Sequence, residues 1–146
     1  MAAVRGNREA QFELGNLYVM GLGVEKDMDA AMVWWKEAAL YGNESAHNAL
    51  VLYLKNMGDT KGLNRVAEKY SEKGKDFHAA EFWETGALMG DATCQYRIGS
   101  VLLKGQRRSE GMDWLEKAAA AGNEDAKKAI SKVYEIDSEL DSIDSV

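Results

Sequence analysis

A recurring Gly-Asn or Gly-Asp pair is the feature of this 146-residue sequence that most limits its fold. Small residues precede each pair, and another small residue follows four positions after the glycine. The pairs are Gly6-Asn7, Gly42-Asn43, Gly90-Asp91 and Gly122-Asn123, with related pairs at Gly58-Asp59 and Gly74-Lys75. Glycine readily takes the left-handed conformation that ends a helix, and Asn or Asp can cap the next helix. The pattern therefore predicts tight helix–helix joints.

Between these joints, apolar residues recur every three or four positions, as at Ala46, Leu50, Tyr53 and Met57. That spacing is typical of amphipathic helices, and no alternating run indicates a strand. The predicted helices cover about 8–20, 28–41, 44–57, 61–73, 76–89, 92–104, 108–121 and 124–136. We therefore expect an all-α chain that is more than about 60% helical, in which short antiparallel helices stack to bury their apolar faces.

Composition narrows the class of protein. The sequence has 24 acidic and 18 basic residues, a net charge of −6, and a hydrophobic fraction of 46%. This balance is typical of a globular chain and argues against a nucleic-acid partner, which needs a basic stripe. No apolar run approaches the roughly 20 residues of a membrane helix. The single cysteine cannot form an internal disulfide.

Two segments resemble a known repeat family. Ala10, Leu14, Gly15, Tyr18 and Gly21-Leu22-Gly23-Val24 follow the first half of a Sel-one-like repeat (SLR), and Ala31, Trp34, Ala38-Ala39 and Gly42 follow the second half. The motif returns at Cys94, Ile98, Gly99, Gly105, Trp114, Ala118, Ala119 and Gly122. The resemblance implies tetratricopeptide-like helix pairs in a right-handed α-α superhelical solenoid, with the first helices lining its concave face.

The repeat division follows from this resemblance. We expect one solenoid over residues 1–136, with repeats at about 10–45, 46–93 and 94–125 and a partial repeat at 126–136. Residues 1–9 match the tail of a preceding repeat, and 137–146 form an acidic tail that frays. A cytoplasmic location is favoured. Because the chain opens in mid-repeat, a periplasmic location is the alternative if an N-terminal signal was removed.

The middle of the chain carries one additional helix. Ala46 and Cys94 are 48 residues apart, whereas Ala10 and Ala46 are 36 apart. Either 44–57 or 61–73 could be the odd helix, but Val66-Ala67 followed by Tyr70 resembles Leu14-Gly15 followed by Tyr18. The similarity favours 61–73 as the first helix of a pair, with a change in superhelical path near residue 58.

Small and large residues alternate across the predicted helix pairs. Gly15 and Gly99 would allow two helix backbones to approach closely, and Trp34, Phe82 and Trp114 precede small residues by four positions. Large side chains against small ones give native packing density. We therefore expect Trp34 and Trp114 to be largely buried. A further set of aromatic residues is assigned to the core, with partner binding as the alternative: Trp35, Trp83, Tyr41 and Tyr53.

Candidate catalytic and metal-binding residues are scattered. Gly21-Leu22-Gly23 lacks the further residues of a phosphate loop, and His47, His78 and Cys94 lack ligand spacing. Carboxylate pairs are expected on solvated helix faces: Glu9/Glu13, Asp27/Asp29 and Glu81/Glu84. Gln106-Arg107-Arg108 is a small basic turn that could contact phosphate or an acidic peptide. We therefore predict no enzyme activity, no cofactor and no bound metal.

The sequence favours a protein-interaction module, an adaptor or scaffold that binds a peptide or protein partner through the concave face. The predicted binding residues are Glu13, Asn16 and Met20 in one repeat and Arg97, Ser100 and Lys104 in another. The apolar end of helix 8–20 could also support end-to-end self-association.

Two alternatives to the adaptor remain. A bacterial immunity protein that occludes a toxin is compatible with the net charge of −6. A cysteine-rich branch that resembles this family has been associated with β-lactam hydrolysis, but Cys94 alone cannot supply its paired cysteines.

Overall fold

The computed structural model of the chain describes residues 7–21 and 27–144. Of these residues, 84% are helical and none forms a strand. The helices are α1 (Arg8–Met20), α2 (Met28–Leu40), α3 (Glu44–Asn56), α4 (Thr60–Glu72), α5 (Asp76–Leu88), α6 (Ala92–Lys104), α7 (Arg108–Ala120) and α8 (Glu124–Asp144). The predicted fold class is confirmed, and the bounds of α1 to α7 agree with the prediction to within one residue.

The last helix is longer than the sequence predicted. We expected an end at 136 and a fraying tail, but α8 continues to Asp144. Residues 137–144 contain no glycine or proline to end the helix. Asp137 also forms an ion pair with Arg108 at the start of α7, which holds the middle of α8 against the helix before it.

The predicted joints from Gly42-Asn43 onward are present, as the ending of α5 shows. Gly90 has a φ of +92°, its N–H donates to the carbonyl of Ala87 (3.0 Å), and the N–H of Asp91 donates to Gly86 (3.1 Å). These are the two bonds of a Schellman ending. The Asp91 side chain then accepts from the N–H of Cys94 (2.9 Å) and caps α6.

One joint is built without glycine at the left-handed position. Gln106 takes a φ of +65° between α6 and α7, and the N–H of Arg107 donates to Leu102 (2.9 Å). The backbone geometry is the same as at the glycine joints, so the three-residue turn persists at a modest conformational cost.

The chain divides into two compact units. The first ends at Asp59 and the second begins at Thr60. In the first unit α2 packs against both α1 and α3, and in the second each helix from α4 to α8 packs against the next. In the second unit α4 also contacts α6, and α6 contacts α8, as expected of stacked helix pairs. A single solenoid over 1–136 and a change of path near residue 58 stay predictions.

Two of the sequence predictions concern residues outside the described part of the chain. The repeat tail over residues 1–9 lies mostly outside the described residues, as do Leu22 and Gly23 of the glycine turn. Gly21 itself ends α1 in the left-handed conformation, with a φ of +71°.

Trp34 and Trp114 are less deeply buried than predicted, because in α2 and α7 the deepest position lies one residue later. Both indoles are only half-buried, whereas Trp35 is 7% exposed and Leu115 is 0% exposed. A Cβ added at Gly15 would lie 2.5 Å from Cδ1 of Trp35, so Trp35 fills the space that this glycine leaves. Leu115 does the same at Gly99, where the distance is 3.0 Å.

Glycines also bring helix backbones together, as the sequence predicted. A Cβ at Gly99 would lie 2.9 Å from the carbonyl oxygen of Gly111, and one at Gly111 would lie 2.8 Å from that of Gly99. Helices α6 and α7 therefore cross at two glycines that face each other. Any side chain at either position would force the helices apart.

The corrected register gives a stability prediction. We expect Leu115→Ala to lower the free energy of unfolding by about 2–5 kcal/mol, because it empties a fully buried site beside Gly99. Trp114→Ala should cost less than Leu115→Ala, although indole is the larger group, because Trp114 is half-buried. Urea unfolding of the two variants tests this order, and a larger loss for Trp114→Ala would contradict the register.

Candidate functional site

A hydrogen bond between an asparagine and a tryptophan ties together the helices of two pairs. In α1–α2, Trp35 Nε1 donates to Asn16 Oδ1 (3.2 Å), and in α4–α5, Trp83 Nε1 donates to Asn64 Oδ1 (2.8 Å). Trp35 and Trp83 are each the eighth residue of their helix, whereas Asn16 is the ninth residue of α1 and Asn64 the fifth of α4. The same kind of bond therefore ties each pair, at points one turn apart along the first helix. The bond between α4 and α5 favours α3 as the helix outside the pairs.

The pair α6–α7 lacks both partners of this bond. Ser100 stands at the position of Asn16 and Tyr96 at that of Asn64, while Leu115 stands at the tryptophan position. The hydroxyl of Ser100 donates to the carbonyl of Tyr96 instead (2.9 Å). Because both residues differ together, no buried indole N–H is left without an acceptor, which would cost about 1–3 kcal/mol.

Two adjoining cavities on the second unit form what we call the polar groove. Their volumes are about 380 and 370 Å³, and both are lined by Ser71, Trp83 and Arg97. The groove runs along α4, the start of α5 and one side of α6. Its other lining residues are Glu68, Glu72, Asp76, Ser100, Val101, Lys104 and Gly105.

The structure brings three of the predicted binding residues together in this groove. Arg97, Ser100 and Lys104 lie on one face of α6, because residues three and four apart are neighbours on a helix. Glu13, Asn16 and Met20 lie on α1 in the other unit, where Glu13 and Met20 are exposed. Asn16 accepts the indole hydrogen bond of Trp35, so its side chain holds the α1–α2 pair together.

Sequence reasoning missed the α4 side of the groove. Glu68 occupies the position in α4 that Asn16 occupies in α1 and Ser100 in α6. Glu72 occupies the position of Met20 and Lys104. The spacing that selected those residues would have found Glu68 and Glu72 had it been applied to 61–73. Ser71 has no such signal, since it lines the groove only where the end of α4 meets α5.

The groove has carboxylates on its α4–α5 side and cations on its α6 side. Arg97 forms an ion pair with Glu68 (3.3 Å), and its guanidinium carbon lies 5.8 Å from the Trp83 ring centroid. The side chains of Arg97 and Glu68 are 43% and 41% exposed, so the pair adds little stability and can exchange for a ligand group. The groove can therefore bind groups of both charges.

Cys94 is held as a neutral buried thiol. Burial raises the pKa of this thiol, and the hydrogen bond and negative charge of Asp91 raise it further. A Cβ added at Gly86 would lie 2.4 Å from the sulfur, so Cys94 fills the small space expected at this repeat position. A thiol that stays protonated is neither a nucleophile nor a metal ligand.

Both histidines are packed within the helices. His78 stacks on Tyr70, with ring centroids 5.5 Å apart, and His47 is buried. Over residues 7–21 and 27–144, no group of three or more His, Cys, Asp or Glu side chains could hold a metal ion. None of the helices in the described part of the chain is long and apolar enough to cross a membrane.

The basic turn at Gln106-Arg107-Arg108 is engaged within the chain. Arg107 pairs with Glu110 (2.6 Å), and Arg108 pairs with Asp137. A phosphate or acidic peptide at this turn would have to displace both carboxylates.

The aromatic residues divide between core and surface. Trp35 and Trp83 are buried, as the core assignment predicted. Tyr53 is half-buried, with its ring edge-on to Trp35 at 6.4 Å between centroids. Tyr41 is exposed, and the guanidinium carbon of Arg8 lies 3.9 Å from its ring centroid.

Seven helices of thirteen residues, three-residue joints from α2 onward and an Asn–Trp bond in two of the pairs define a helical-repeat protein. The Sel1 repeat model matches residues 8–43 and 92–123, which are the pairs α1–α2 and α6–α7. Over these two stretches the match confirms the resemblance that the sequence predicted. Sel1 repeats are generally protein-interaction modules, and proteins that carry them are typically non-enzymatic scaffolds.

Two solved structures are similar to this chain. One is a Sel1 repeat protein from Oxalobacter formigenes, with 26% identity and a TM-score of 0.48 over 91% of this chain and 66% of the other. The second is a protective antigen of uropathogenic Escherichia coli strains with an SLR fold, with 23% identity and a TM-score of 0.40 over 91% and 34%. The chain thus spans just under two thirds of the first protein and about a third of the second. Comparison with the curated proteins gives no match.

The repeated hydrogen bond can be tested with a double-mutant cycle. We expect Asn64→Ala to cost about 1–3 kcal/mol, because it leaves the Trp83 N–H without its acceptor. Trp83→Phe removes the same donor, so the two changes together should cost less than their sum. The control Asn48→Ala, at an exposed position on α3, should change stability by less than about 0.5 kcal/mol. Strict additivity of Asn64→Ala and Trp83→Phe would contradict the pairing.

Proposed function

We propose that the second unit is a protein-binding module that holds a segment of a partner protein in the polar groove. The observation that carries the proposal is the convergence of Arg97, Ser100 and Lys104 from α6 with Glu68 and Trp83 from the preceding pair. This chain would then act as an adaptor or scaffold.

The dimensions of the groove suit a peptide segment. Its two cavities, of about 380 and 370 Å³, each lie within the roughly 300–1,000 Å³ of ligand sites. They adjoin one another along α4 and α6, so a chain segment can lie across both. Trp and Arg are also the residue types that contribute most to protein interfaces.

The charged residues of the polar groove indicate where acidic and basic groups of the partner bind. A partner carboxylate can replace Glu68 on Arg97, because the existing ion pair is half-exposed and weak. Lys104 lies at the same side of the groove, and Glu68 would then be released to accept a basic group. The partner segment is therefore proposed to be of mixed charge, with an acidic residue over α6.

Charge reversal in the groove tests the proposal. We expect Arg97→Glu and Lys104→Glu each to weaken partner capture by about tenfold or more, because each puts a carboxylate where a partner's acidic group binds. Lys132→Glu makes the same change on an exposed part of α8 and should leave capture unchanged. The measurement is quantitative affinity capture from native cell extract followed by titration of the captured partner.

Circular dichroism of each charge variant provides the folding control. If Arg97→Glu and Lys104→Glu fold normally and capture the same partner as well as Lys132→Glu does, the binding surface is elsewhere.

The first unit supports the proposed self-association. Leu17 and Met20 are exposed near the end of α1, which leaves apolar surface for a second copy. We expect the mean mass from light scattering to rise with protein concentration and Met20→Glu to reduce that rise. A monomer at every concentration would contradict end-to-end association. Asn16→Arg is unsuitable as a probe, because it would break the Trp35 contact.

A further inference from the structure

Another cavity on the second unit is more apolar than the polar groove. It has a volume of about 520 Å³ and lies between α5 and α6, beside the start of α7. Its apolar wall is made by Phe77, Ala80, Ile98, Val101 and Leu102. We call this cavity the Phe77 cleft.

Phe77 does not serve the packing of the repeat. It is the second residue of α5, and its side chain is 90% exposed. The equivalent residues of the other second helices are Asp29 in α2 and Ser109 in α7, both polar. The repeat fold therefore tolerates a polar residue here. A phenyl ring held in water at the mouth of an apolar cavity is typical of a binding surface.

The rim of the Phe77 cleft is acidic. Asp76, Glu81 and Glu84 contribute three carboxylates from α5, whereas Arg107 is the cation among the lining residues. Arg107 already forms a two-bond ion pair with Glu110, at 2.6 and 3.1 Å, which neutralises its charge. The cleft thus offers an apolar wall with a net negative rim, which attracts cations.

The exposed apolar side of α8 is a poor occupant for this cleft. The C-terminal half of α8 exposes Ile136, Leu140 and Ile143, but Glu135 and Glu139 stand beside them. Docking of α8 from a second copy would bring carboxylates against carboxylates. The charge on the cleft therefore selects a basic partner.

We propose that the Phe77 cleft is a second binding site, which takes a partner peptide whose bulky apolar side chain stands next to a Lys or Arg. The apolar side chain packs on Phe77 and Val101, and the cation contacts the carboxylates on α5. The cleft adjoins the polar groove, since Asp76, Val101 and Gly105 line both. The proposal nevertheless stands on its own residues and does not depend on what the groove binds.

An unbiased selection tests the proposal. A phage library of random twelve-residue peptides is selected on the full chain and counter-selected on Phe77→Ser, which installs the residue of α7. We expect surviving sequences that pair a bulky apolar residue with a neighbouring Lys or Arg. If no sequence survives the counter-selection, or the survivors lack basic residues, the proposal is overturned.

Binding of a surviving synthetic peptide, measured by fluorescence anisotropy, then maps the cleft. Phe77→Ser and Glu84→Lys should each weaken binding by about tenfold or more. Leu88→Ser, at a 71% exposed site on the same helix, and Glu116→Lys, an equal charge change on α7, are the matched controls and should have no effect. Equal weakening by a cleft variant and its control would overturn the site. Because Phe77 is exposed, Phe77→Ser is expected to fold, and its urea midpoint checks this.

Discussion

The three-residue joint is the constraint on which the other features of this chain depend. At each joint from α2 onward one residue with a positive φ ends a helix, as Gly90 and Gln106 do, and the chain reverses at once. Trp35 and Trp83 are each the eighth residue of a thirteen-residue helix, and each donates its indole N–H to an asparagine of the helix before it. The polar groove and the Phe77 cleft of the second unit are gaps between helices that these joints hold in place.

Much of this fold could be predicted because its signals are local. Glycine followed by Asn or Asp marks a joint wherever it occurs, so the bounds of α1 to α7 followed from the sequence. The error at Trp34 arose because Trp34 and Trp35 are adjacent and alike, and helical periodicity does not separate two apolar neighbours about 100° apart. Only the close approach of Trp35 to Gly15 decides between them. The end of α8 was missed because no residue there breaks a helix.

The sequence predicted the α6 side of the polar groove but not its α4 side. Arg97, Ser100 and Lys104 occupy regular positions on a helix that follows the repeat motif, so spacing alone selected them. Their counterparts on α4 belong to the stretch with the additional helix, where the register was ambiguous. The Phe77 cleft could not be predicted, because an apolar residue at a helix start has no special meaning until the structure shows it exposed beside Val101.

The central claim is that a partner segment lies in the polar groove of the second unit. Its most direct test is photo-crosslinking in native cells with a benzophenone amino acid at position 104, inside the groove, or at position 132, on exposed α8. We predict a discrete crosslinked product from position 104 that is absent from position 132, with the attachment site found by mass spectrometry in one segment of one partner. No product from position 104, or the same products from both positions, would contradict the claim.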